Sequence, residues 1–343
     1  MFNSFGADMR KAAIFFGFPA ITLILTSCSS ISGSFSGFFE SDENSQKLGE
    51  LAATSAKAAA ESEQSEDSDA EKGLTKHLLD QATEAVGTWA ENMAPGTEVS
   101  ISAQDNGKPE YSVATIQEIE TEMTSNGTMF WQGQVGNHDG GDRTTVNLGL
   151  GYRQLSNDEH WLFGANAFLD HEFPYDHQRA SIGLEAKSAA VDVTFNQYMA
   201  LSKWQNGASG NQERALDGQE LELGAQVPYV PSAKLFLKSF KWDGVDSASD
   251  IEGTSYSLEL NRSLGSGWIL EAGRKDFDNR PDEDFARLTY RLGLGSEADS
   301  GNAAPFISDR MFETGSVKHR KLEKVRRTNR IVKQTGGFQV SFR

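Results

Sequence analysis

Three carboxylate–imidazole groupings have the clearest capacity for chemistry in this chain: Asp158-Glu159-His160, Asp170-His171 and Asp176-His177. An Asp beside a His can hold a water and take its proton, and such sets can also ligate a metal ion. All three fall at the ends of short segments, where Asp, His and Asn are common because loop tips are wet. No nucleophile stands with partners at a usable spacing. Gly149-Leu150-Gly151 lies inside an alternating segment, so these glycines read as packing or bend positions rather than a phosphate loop. The expectation is therefore a protein that is not an enzyme, with no metal and no cofactor.

The elements that carry these groups are clearest between Thr144 and Trp204. Trp161, Phe163, Ala165, Ala167 and Leu169 share one parity, while Gly164, Asn166 and Asp170 take the other. Ile182, Leu184 and Ala186 oppose Ser181, Gly183, Glu185 and Lys187; Val191, Val193 and Phe195 oppose Asp192, Thr194 and Asn196. Period-two alternation makes each segment a strand with one apolar and one polar face. Strands of about ten residues of this kind suit a membrane barrel. They equally suit a soluble antiparallel sheet with one solvated face.

Strands are expected over 97–105, 110–122, 127–137, 144–156, 160–172, 177–189, 190–204, 217–230, 233–243, 253–264, 267–277 and 282–295. Ala114–Glu120 alternates poorly, which makes the first two the weakest. Twelve is an even number, as a single-chain bacterial barrel requires. Leu148, Leu150, Leu221, Leu223, Leu235, Leu237, Tyr256 and Leu258 are among the residues whose parity points outward. Asn206–Asp217 and Asp243–Glu252 read as long polar loops, and Pro231-Ser232 and Gly265-Ser266 as tight turns.

Composition narrows the classes. The 343 residues include 33 glycines, 8 prolines and 10% aromatics, which fits twisted strands and tight turns. Mean hydropathy is −0.49, and no apolar run of eighteen occurs beyond the N-terminus, so helical spans are excluded but a barrel is not. A net charge of −17 argues against nucleic acid as a partner. The single cysteine, Cys28, excludes an internal disulfide framework.

The N-terminus reads as a targeting segment: Arg10 and Lys11 precede the apolar run Ala12 to Leu25. Leu25-Thr26-Ser27-Cys28 resembles a lipoprotein signal, with Cys28 as the lipidated residue of a 1–28 leader. An ordinary signal peptide cut nearby is the alternative. Ser29, not Asp, follows Cys28, so nothing suggests inner-membrane retention. Residues 29–73 are Gly/Ser- and then Ala/Glu-rich and read as a disordered linker. Leu74, Leu78, Ala82, Ala85, Val86 and Trp89 recur at three and four, an amphipathic periplasmic helix over 74–95 that Pro95-Gly96 ends.

NLGLGYRQL, LFGANAFLDHEF and RASIGLEAKSAAVDVTFNQYMALSKW together resemble the inverse autotransporter β-domain of the intimin/invasin family. The matching positions are Gly164, Asn166, Phe168 and Asp170; Arg179, Gly183 and Glu185; and Ser202 and Trp204. LELGAQVPYVPSAKLFLKSFKWDG is similar to the family's proline-bearing turn, and KVRRTNRIV to its linker after the barrel. The resemblance implies a transmembrane outer-membrane β-barrel of about twelve antiparallel strands over 97–295, an all-β fold whose C-terminal segment, 296–343, threads the pore and carries an exported passenger. It also implies outer-membrane lipid, the barrel assembly machinery and periplasmic chaperones as partners.

The charges agree with that path. From Ser308 on there are ten Arg and Lys against three acids, a net +7 on an acidic chain. Inward-facing Asn166, Asp170, Arg179, Glu185, Asp192, Glu220, Glu222, Glu259 and Glu271 would line the pore. Lys318, Arg320, Lys321, Lys324, Arg326, Arg327 and Arg330 would sit among them, weakly screened where water is confined. No immunoglobulin-like repeat follows in this sequence. The expectation is therefore either export of a short C-terminal segment or a stand-alone structural or channel barrel plugged by its basic tail. Gly337–Arg343 alternates and could emerge at the surface or act as a closing strand.

Overall fold

A computed structural model of the protein describes residues 96–104, 109–120, 126–138, 142–246, 248–262, 267–292 and 307–336. The leader with Cys28, the linker 29–73, the helix expected over 74–95, the turn at Gly265-Ser266 and the alternating 337–343 lie outside the described residues.

Alternation becomes twelve strands: β1 Thr97–Gln104, β2 Glu110–Ile119, β3 Gly127–His138, β4 Arg143–Leu155, β5 Leu162–Phe173, β6 His177–Lys187 and β7 Val191–Ala200. After two short strands, β8 Gln205–Asn206 and β9 Gln212–Ala215, come β10 Gly218–Val227, β11 Val230–Trp242, β12 Ile251–Asn261, β13 Trp268–Phe277 and β14 Glu283–Arg291. Each barrel strand pairs antiparallel with its neighbours, and β1 pairs with β14, Val99 opposite Tyr290, to close the barrel. Closure satisfies every strand edge, which a sheet in lipid requires. Leu148, Leu150, Ile182, Leu184, Leu221, Leu223, Leu235 and Leu237 form an exposed apolar belt on the outer face.

The two mouths differ. One is built from tight connections, including Ser156–Trp161, Ser188–Ala190 and Pro228-Tyr229. The tight turn expected at Pro231-Ser232 lies three residues earlier, because Tyr229 takes φ 65° and β11 starts at Val230, with a register shift after Gln226. The other mouth carries the long loops. β7 also ends before Trp204: Leu201 and Ser202 donate their backbone N–H groups to Gln178 O, and Trp204 Nε1 donates to Asp246 Oδ2 at 2.9 Å. The expected polar loop 206–217 holds β9, which joins β8 and β15 Lys333–Gly336 in a small second sheet.

The core is inside the barrel. Gly149 and Gly151 face inward, where a Cβ would overlap the rings of Phe168 and Phe130. Those bare positions let the two rings lie in the lumen.

Candidate functional site: the chain inside the barrel

The segment from Ile307 to Gly336 touches both mouths. At the tight-turn mouth, Ser308 N donates to Tyr229 O at 2.8 Å and Tyr229 N to Met311 O at 2.9 Å. Val317 N then donates to Glu159 O, and the Arg320 guanidinium to Ser188 O. At the loop mouth, Leu216 N donates to Val332 O at 3.0 Å, β15 pairs with β9, and Val245 N donates to Gln334 Oε1 at 2.9 Å. Between these ends its bonds go to inward-facing side chains.

Charge sets most of those bonds. Arg327 forks onto Asp170 at 2.9 and 2.7 Å, and Arg179 Nε donates to the same carboxylate at 2.8 Å; all three side chains are fully buried. Arg179 also reaches Thr328 O at 2.7 Å. Arg326 spreads over Glu222, Glu259 and Glu271 and lies 3.6 Å over the Phe236 ring. Arg320 takes both oxygens of Asp192 at 2.6 and 2.9 Å. Glu220 accepts from Thr328 N and Oγ1 and from the Tyr198 hydroxyl. Lys324 pairs with Glu98 at 3.1 Å, and Arg330 with Glu110 at 2.9 Å.

Four predicted positions behave differently. Glu185 meets no tail cation: it holds Arg153 at 2.5 Å and Lys187 at 3.0 Å, and Arg153 donates to Lys321 O and Glu323 O, both at 2.7 Å. The carboxylate therefore positions a cation that grips tail backbone. Lys318 is exposed and Lys321 half-buried, and neither makes an ion pair among the described residues. Asn166 is buried, and its amide finds no protein partner there, since it faces the bare Gly183.

Apolar sockets complete the site, and sequence reasoning missed them. Val317 is fully buried against Leu155 and Leu162. Val325 packs with Ile116, Phe130 and Phe168. Val332 packs against the group of Tyr198, Leu216, Phe240 and Trp242. The sockets thus catch the tail near one mouth, part-way along and near the other. Their signal was the breaks in alternation, where apolar residues take inward parity.

The carboxylate–imidazole candidates do not gather into one cluster, although His160 lies 3.6 Å from Asp158 and His171 3.4 Å from Asp176. Asp170 points inward, whereas His171 points outward onto Phe173 and Asp176. Asp158 is a turn residue, held below its ordinary carboxylate range by the Ser156 hydroxyl and the His160 backbone N–H. His177 meets Glu213 at 3.4 Å, near Glu172. These two carboxylates already receive Arg143 and Lys333, so a metal ion at this buried group would compete with two cationic side chains.

The inverse autotransporter β-domain family model matches residues 44–329, most of the chain. This chain belongs to that family. The inverse autotransporter barrel places the protein in the bacterial outer membrane, with lipid against the apolar belt. The chain is 29% identical over 126 residues to a putative attaching and effacing protein homolog of Escherichia coli K12, covering 36% of this chain and 42% of that protein. It is 30% identical over 117 residues to intimin of Escherichia coli O111:H-, covering 33% of this chain and 12% of that one. The match thus spans less than half of either relative. In fold it is similar to a chain solved in work on in-meso crystallization of membrane proteins, with TM-score 0.55, 16% identity, and coverage of 70% of this chain and 99% of that one.

Proposed function

We propose that this inverse autotransporter anchors and exports its own C-terminal segment, with the chain from Ser308 running outward through the pore. The carrying observation is that one continuous segment bonds the tight-turn mouth at Ser308 and the loop mouth at Gln334. Short turns face the periplasm and long loops the exterior in barrels of this kind, which gives the path its direction. Asp170, Asp192, Glu220, Glu222, Glu259 and Glu271 act as the grip. Insertion would call on the barrel assembly machinery and periplasmic chaperones.

The test is an epitope tag after Arg343, probed with antibody on intact cells. Export predicts labelling without opening the outer membrane. Labelling only after opening would sink it in favour of a second reading, a structural or channel barrel plugged by its tail. Buried, mutually paired charges favour that second reading too, because they suit a segment that stays where it is.

A further inference from the structure

The tail does not fill the lumen. Its backbone is bonded to β3, β4, β6, β7 and β10, through Gln132, Asn147, Arg153, Arg179, Asn196 and Glu220. Among the described residues, the tail's ion pairs to β1, β2, β12 and β13 are made by the long side chains of Lys324, Arg326 and Arg330. Between the tail and that opposite wall lies a cavity of about 1000 Å³. It extends from Gly267 and Ser232 at the tight-turn mouth to Arg280 and Glu283 at the loop mouth. A polar space of that size holds many waters rather than staying empty.

Its charge is one-sided, and the tail is the cause. Among the described residues lining it, fourteen are Arg or Lys and ten are Asp or Glu, a surplus of four positive charges. The barrel wall itself contributes eight of each sign. The tail contributes six cations, among them Lys324, Arg326 and Arg330, against Glu313 and Glu323. We infer that the barrel with its tail in place conducts small ions along this side path and prefers anions, the preference being supplied by the tail. Confined water between low-dielectric walls focuses such a surplus, and rings of Arg and Lys are how pores select anions.

The test is planar-bilayer recording of the purified full chain under a roughly tenfold KCl gradient. The expected result is steady current with the tail present. The reversal potential should show chloride favoured over potassium by roughly threefold at low salt. The preference should fade near 1 M KCl, where screening acts within about 3 Å. Lys324→Gln with Arg330→Gln removes two of the four surplus charges and should lower the ratio while leaving the buried Asp170–Arg327 pair intact. Deleting 308–343 should raise the current and abolish the preference. A silent full-length barrel, a preference for potassium, or a ratio unmoved in the double variant would overturn the inference. Because antibody labelling plays no part in this test, the side path and the export reading stand or fall separately.

Discussion

Asp170 shows what a single inward carboxylate does here. It lies between Arg179 of the wall and Arg327 of the tail, with Asn147 donating a further bond at 2.7 Å. Removing one partner from such a buried set typically costs about 3–5 kcal/mol, because the remaining charge loses compensation. Arg327→Ala should therefore loosen the tail while leaving the barrel closed. Limited trypsin digestion would then cut between Lys318 and Lys333 at least tenfold faster than in the parent, with the barrel core still protected. Arg327→Lys should restore only part of the protection, since an ammonium cannot fork across both oxygens. Lys318→Ala, at an exposed side chain without an ion pair among the described residues, should remove one cleavage site but leave the cutting rate between Arg320 and Lys333 unchanged. Parity alone made the inward acids legible. It could equally have exposed Arg153, which shares parity with Gly149 and Gly151 and opposes Leu148 and Leu150. The signal was present, but a basic residue on the wall does not suggest itself when the tail already supplies cations.

At the scale of elements, strand alternation was legible wherever the inward face was polar, as in β5, β6 and β7. It failed where the lumen is apolar. Ile116 blurs Ala114–Glu120 because it faces inward and meets Phe130, Phe168 and Val325. β9 was illegible for another reason. Four residues, Gln212–Ala215, are too few to show a period, and their pairing partner β15 lies more than a hundred positions away in sequence. Val325→Ala should empty the middle socket and weaken docking by about 1–2 kcal/mol. In the trypsin assay that is a rise of roughly five- to thirtyfold in cutting rate, if cleavage follows the undocked population. An unchanged rate would mean that the charges alone hold the tail.

For the whole molecule, a chain of net charge −17 keeps within its own barrel the segment 308–336, whose nine Arg and Lys against three acids give +6, so attraction between the two is intramolecular. The segment's ends are then fixed by backbone bonds to opposite mouths, which is the central claim. Its most direct measurement is the distance between spin labels on Thr314→Cys and Thr335→Cys, in a Cys28→Ser background, with the protein in outer-membrane vesicles. A tail that crosses the barrel predicts a narrow distribution near the thickness of the hydrocarbon core, roughly 25–30 Å. A broad distribution, or one centred below about 15 Å, would mean that the segment folds back at one mouth, contradicting the account.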